Sequence, residues 1–153
     1  MSKLSPAPSF QLLCLGYGAI AKALVRRLPP AEWSVTGTTR NGATAALMKA
    51  SGVAALDLAT ALDPSALADA THILISIPPD DQGDLAFNAG AAALRAAPKL
   101  HWVGYLSTTG VYGDLQGRWA FEWTPAAPLS TEGKRRALAE RQWLESGLPV
   151  HVF

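Results

Sequence analysis

The sequence predicts an α/β domain: a doubly wound parallel sheet held between two helical layers. Three observations predict it. Short apolar runs alternate with helical patterns along the whole chain. The runs are apolar at successive residues, the pattern of parallel strands covered on both faces. Proline, glycine or a capping residue stands at most junctions. Parallel strands need crossover helices, and the crossovers are right-handed. Ligands therefore meet such a sheet at the carboxyl ends of its strands.

The elements follow in order. Residues 1–9 read as a flexible tail. Residues 10–15, FQLLCL, are an apolar run of strand length. They lead into Gly16-Tyr17-Gly18-Ala19-Ile20-Ala21 and a helical pattern with Ile20, Leu24, Val25 and Leu28 on one face. Pro29 and Pro30 stop that helix. Residues 34–38 read as a second strand, 43–50 as a short helix, and 53–58 as holding a short third strand with Asp57 at its end. Asp63-Pro64 is a cap followed by a first-turn proline, opening a brief helix to about residue 69. The β-branched run HILISI, 72–77, is the fourth strand, broken by Pro78 and Pro79. An alanine-rich helix covers 84–97, and 101–107 is the fifth strand. Residues 108–128 form a long loop, a length usually tied to function. A charged helix starts at Ser130 or Thr131 and runs to about 146, and 149–153 open a sixth strand.

Composition narrows the classes. A chain of 153 residues, 49% hydrophobic, supports one packed core and is not a disordered segment. A net charge of +1 offers no broad basic surface to nucleic acid. No apolar run reaches the ~18 residues of a membrane span. The opening residues do not resemble a signal peptide, so a cytoplasmic location is the default expectation. The single Cys14 excludes an intrachain disulfide and reads as an inert buried thiol in the first strand. His72, His101 and His151 have no metal-ligand spacing and read as satisfied core residues, so no metal is expected. Lys134, Arg135, Arg136 and Arg141 read mostly as a solvated helix face. Trp102, Trp119, Trp123 and Trp143 read as core or loop packing, with Trp119 and Trp123 also candidates to line a substrate pocket.

Strand, glycine turn and helix together give the G-x-G-x-x-A pattern physical content. Gly16 permits the tight turn and Gly18 lets backbone approach a pyrophosphate. Ala21 is small enough for close packing of helix on strand. The alternative is a tight turn without a ligand. The strand ends gather Gly16 to Ala21, Thr38, Thr39, Arg40 and Asn41, Asp57 with Leu58, Ile77, Pro78, Pro79, Asp80 and Asp81, and Ser107 to Tyr112 into one candidate site. Arg40 lies about twenty residues after the glycine turn, where an acid would select NAD. A basic residue there pairs with the 2′-phosphate of NADP, so NADP is the expected cofactor and NAD the alternative. A solvated loop arginine is the bland reading. Asp57 and Leu58 stand where they would contact adenine, or Asp57 caps a helix.

The segments YLSTTGVYGD at 105–114 and SIPPDDQGD at 76–84 resemble those of extended and atypical short-chain dehydrogenases/reductases. The closest likeness is to the atypical NAD(P)-dependent epimerase/dehydratase group, and it runs over nearly the whole chain. The resemblance implies an NAD(P)-binding Rossmann fold with three layers, αβα. The glycine turn departs from the extended G-x-x-G-x-x-G pattern, since Leu15 takes the first glycine position. The resemblance implies that Thr108 holds a substrate oxygen. It also implies a Tyr-x-x-x-Lys proton donor and helper on the last helix. Aligned by Glu140, that motif falls on Glu132-Gly133-Lys134-Arg135-Arg136, with Glu132 for the tyrosine and Arg136 for the lysine. A carboxyl near 4 must be raised by burial to act as a neutral-pH acid, and an adjacent arginine opposes that. Tyr112 is a second candidate phenol, though in the family its ring mostly packs. Asp84 resembles an acid carried in place of a catalytic Asn, or it caps the following helix.

Two readings of function stay open. One is an oxidoreductase or nucleotide-sugar epimerase/dehydratase-like enzyme acting on an unknown small molecule. The other is a non-catalytic NADP-binding sensor or regulatory module. The resemblance also implies a substrate region after the sixth strand, absent from this sequence, so the expectation is cofactor binding without turnover. An exposed sheet edge makes homo-oligomerisation a further expectation.

Overall fold

The computed structural model describes residues 8–153. Most of the expected tail lies outside the described residues. The strands are β1 (Phe10–Leu15), β2 (Trp33–Thr38), β3 (Ala54–Leu56), β4 (His72–Ile75), β5 (Trp102–Tyr105) and β6 (Val150–Val152). They form one six-stranded sheet in the order β3-β2-β1-β4-β5-β6. Every pairing is parallel, as the doubly wound expectation requires.

Alternate strand residues build two cores. Leu13, Leu15, Ile73, Ile75, Val103 and Tyr105 face α3 (Leu58–Ala61), α4 (Pro64–Leu67), α5 (Leu85–Arg95) and α6 (Thr131–Leu144). Leu12, Cys14 and Leu74 face the other way, onto Ala21, Leu24 and Val25 of α1 (Ala19–Val25). On that same face Met48 of α2 (Gly42–Ala50) packs close to Gly37. β1 and β4 are central, so both of their faces are dry, which is why their sequences do not alternate. Each fully buried aliphatic side chain, such as Ile73 or Leu15, contributes about 1.5–3 kcal/mol by leaving water.

Caps start the helices where the sequence changes chemistry. The side chains of Asn41, Asp57, Asp63, Asp84 and Ser130 each accept a first-turn N–H. Asp57 caps α3, the second of its two expected roles, and opens a helix of four residues that the sequence does not announce. β4 stops at Ile75 and β5 at Tyr105, two residues short of the apolar runs. Backbone still pairs beyond them, since Leu106 N–H donates to Ile75 O and Ser107 N–H to Phe153 O.

Other expectations are corrected. Ile20 does not share the buried face of α1; it is exposed, and Ala21 is buried instead. The sheet packs so close to α1 there that only the smaller side chain fits. His101 and His151 are exposed rather than core, because they lie at the start of β5 and on the outermost strand β6. His72 is half-buried, its Nδ1 2.9 Å from Thr71 Oγ1. Among the described residues no helix is long and apolar enough to cross a membrane, and no cluster of metal-ligating side chains occurs.

Candidate functional site

The strand order reverses between β1 and β4, and the carboxyl ends of these strands, with β2 and β5 alongside, are where a doubly wound sheet meets a ligand. Gly16 follows β1 at φ +94, a conformation that side-chain-bearing residues rarely adopt. A Cβ there would lie 2.7 Å from Ser76 Oγ and 3.2 Å from Ile77 N. The turn is fixed from both neighbouring strands. Gly16 N–H donates to Thr38 Oγ1 at 2.8 Å, and Ser76 Oγ donates to Gly16 O at 2.8 Å. Tyr17 N–H donates to Thr38 O. Gly18 differs: nothing lies within 4 Å of where its Cβ would be. As N-cap of α1 it supplies no side-chain hydrogen bond, so the first N–H groups of the helix are left for another acceptor. Ala19 and Ile20 are exposed beside it. A rigid glycine turn therefore stands next to an open one, at the start of a helix.

At the end of β2 the polar side chains are mostly committed. Thr38 holds Gly16, Thr39 Oγ1 accepts Asn41 N–H, and Asn41 Oδ1 accepts Thr44 N–H. Arg40 is exposed and makes no ion pair among the described residues. Beyond β3, the Asp57 carboxylate accepts Thr60 N–H at 2.8 Å and Thr60 Oγ1–H at 3.0 Å. Those donors hold its carboxyl below the usual range. Leu58 packs against the core beside it. After β4, Ile77 packs against the core, Pro78 is exposed and Pro79 is buried.

The opposite wall is built by β5, the 3-10 helix Thr109–Tyr112 and α6. Thr108 caps the 3-10 helix by accepting Gly110 N–H, which leaves its hydroxyl proton free to donate. Tyr112 is half-buried at the end of the same turn. Gly133 lets the first turn of α6 pack onto it, since a Cβ there would lie 2.6 Å from Gly110 O. Arg136 Nε donates to Glu132 Oε1 at 3.0 Å, and its Nη1 donates to Leu106 O at 2.8 Å. The Arg136 side chain is only 15% exposed, against 54% for Glu132. Arg136 is therefore not part of a solvated face. Arg135 is the more open neighbour, paired with Asp81 at 2.7 Å.

Two features escaped the sequence reading. Ser107 Oγ donates to Glu140 Oε1, linking the end of β5 to α6. Asp84 and Tyr105 are fully buried near the Arg136 charge. Burial pushes the Tyr105 phenol up to about 12, and it raises the Asp84 carboxyl despite the cap bond to Phe87 N–H. The signal for this cluster was the spacing Gly133, Arg136, Glu140, Trp143, one face of a helix masked by its charges. A hollow of about 340 Å³ lies along the α1–α2 seam and reaches Leu28 and Trp33 at the far end of the sheet, so it is distinct from the strand-end site.

The architecture is shared with solved structures. A conserved protein of unknown function from Silicibacter pomeroyi is 41% identical over 94% of this chain and 51% of its own, at a TM-score of 0.84. A protein of Methylobacillus flagellatus, provisionally assigned as an NAD-dependent epimerase/dehydratase, is 25% identical over 95% of this chain and 53% of its own, with a TM-score of 0.65. The chain shares the Rossmann-like α/β fold of these structures. UDP-glucuronic acid 4-epimerase from Bacillus cereus, solved with NAD, shares that fold at 19% identity and a TM-score of 0.63, over 94% of this chain and 55% of its own. The chain thus spans about half the length of each of these structures. No protein-family model matches it, and no curated protein does.

Proposed function

We propose that this chain binds a nicotinamide dinucleotide across the strand ends, with NADP preferred over NAD. The glycine turn carries the reading: Gly16 is locked against β2 and β4 while Gly18 stands open at the start of α1. The pyrophosphate would lie over Gly16 to Ala21, the adenine side near Asp57 and Leu58, and the nicotinamide side near Ile77, Pro78, Pro79 and Ser107. Arg40, with no carboxylate partner among the described residues, supports selection of a 2′-phosphate, with the Thr39 hydroxyl beside it. The bound dinucleotide would supply hydride chemistry. The protein would supply its cradle and, through Thr108, a hydroxyl to orient a substrate oxygen.

The test is a titration with NADPH and NADH followed by cofactor fluorescence. Removing one charge-assisted contact costs about 1.5–3 kcal/mol, so Arg40→Ala should weaken NADPH binding roughly tenfold to a hundredfold and leave NADH little changed. Equal binding of both cofactors by the parent chain would refute the preference.

A second reading, binding without turnover, draws on the Glu132–Arg136 pair. These residues stand where relatives are expected to carry a phenol and a lysine, and they bond each other. Tyr105 is too buried and too weakly acidic to replace that phenol. Steady enzyme-dependent NADPH oxidation with a carbonyl substrate would overturn this reading and point to Thr108, Tyr112 or Glu132.

A further inference from the structure

The long loop after β5 returns to its own start. Ala127 N–H donates to Val111 O at 2.9 Å, and Gly113 packs so tightly on Ala127 O that no Cβ fits. Between these points the loop encloses an open cleft of about 460 Å³, within the size range of small-molecule sites. Tyr112, Asp114, Arg118, Trp119, Thr124 and Leu129 line it.

Three of these residues are in states that packing alone does not explain. Arg118 Nε donates to Leu115 O at 3.1 Å, which turns its guanidinium along the loop, and it has no carboxylate partner among the described residues. Its two terminal nitrogens remain available. Trp119 is 84% exposed and Leu129 73% exposed, although both are apolar side chains that burial would favour. A guanidinium with free terminal nitrogens is suited to a carboxylate or phosphate, and an open indole to a ring face. Asp114 lines the same cleft, with Oδ1 accepting Gln116 N–H, and its charge disfavours an anion there.

We propose that this cleft is a substrate subsite for a small molecule that joins a ring to a carboxylate or phosphate. The ring lies on Trp119 and Tyr112, and the anion meets Arg118. Tyr112 ends the 3-10 helix that Thr108 caps. At 2.0 Å rise per residue the two are about 8 Å apart along that helix axis, a span a ring-bearing ligand covers. The substrate role rests on the dinucleotide reading above; binding in the cleft does not.

The test is calorimetry on the full chain with three probes: phenyl phosphate, inorganic phosphate and benzyl alcohol, each with and without saturating NADPH. Phenyl phosphate should bind about tenfold tighter than either fragment, and NADPH should not displace it. Arg118→Gln and Trp119→Ala should each weaken it about tenfold, while Asp114→Asn tightens it. These side chains lie on the loop surface, and NADPH affinity should be unchanged in all three variants. Phenyl phosphate binding no tighter than phosphate, insensitive to these changes, or displaced by NADPH would overturn the proposal. If NADPH fails to bind the parent chain while phenyl phosphate behaves as stated, the dinucleotide reading falls and the cleft remains.

Discussion

Thr38 Oγ1 accepts the backbone N–H of Gly16 at 2.8 Å, across twenty-two residues of sequence, and so ties the end of β2 to the turn after β1. Thr38 is buried, so water cannot easily replace it. Thr38→Val keeps the shape and removes the acceptor. Leaving the Gly16 N–H unpaired should cost about 1–3 kcal/mol of stability. Urea midpoints measure this. A variant as stable as the parent would mean that the turn does not depend on β2.

The two glycines of the turn should separate fold from ligand. Gly16→Ala forces a side chain into φ +94 and against Ser76 Oγ, a strain of about 1–3 kcal/mol or more. Gly18→Ala meets no atom within 4 Å and has φ −86, so stability should change by less than about 1 kcal/mol. If backbone approach to a pyrophosphate is the purpose of Gly18, the same change should weaken dinucleotide binding. Thermal melts give the first comparison and a cofactor titration the second. Intact binding by a stable Gly18→Ala variant would contradict the placement of the phosphates.

Asp84 gives a pH signature. Its Oδ1 caps α5, while Oδ2 is buried without a partner of normal geometry. Burial raises its carboxyl above the ordinary 3.8, so the native chain holds this proton more tightly than the unfolded chain does. Stability from this group is therefore fully present below 3.8 and falls as pH rises through the raised value. Asp84→Asn keeps the cap acceptor and cannot ionise. The variant should be more stable than the parent at pH 7, and the gap should close towards pH 3.8. Urea titrations across that range check it. A gap independent of pH would show that the Asp84 charge is fully compensated in the fold.

The doubly wound parallel sheet and the starts of α4, α5 and α6 were legible because local signals agreed. Asp63-Pro64, Asp84 and Ser130 are caps in sequence and in structure. α3 was missed because four residues hold less than a full hydrophobic period. His101 and His151 were misread because strand membership does not tell an end or an edge from a centre. Arg136 was misread for a related reason. A charged residue on the buried stripe of α6 looks solvated until the strand-end carbonyl that receives it is known. The glycine turn was readable as a motif. Its anchoring by Thr38 and Ser76 was not, since those contacts depend on strands far along the chain.

The two ends of the Glu132–Arg136 pair should differ sharply in their effect. Glu132 is more than half exposed, and an i,i+4 pair of this kind contributes a few tenths of a kcal/mol. Glu132→Gln should therefore leave stability nearly unchanged. Arg136 is mostly buried and donates to Leu106 O, and it is the nearby cation for Asp84 and Tyr105. Arg136→Met retains the aliphatic stem but strands that carbonyl and removes the charge. It should cost about 1.5–3 kcal/mol, the range for a hydrogen bond to a charged group. Arg136→Lys restores charge without the planar fork and should recover only part of the loss. Urea unfolding of the three variants orders them. If Glu132→Gln cost as much as Arg136→Met, the pair itself would be the stabilising unit. Equal stability of Arg136→Lys and the parent would show that charge alone suffices, and that the fork geometry at Leu106 O is incidental.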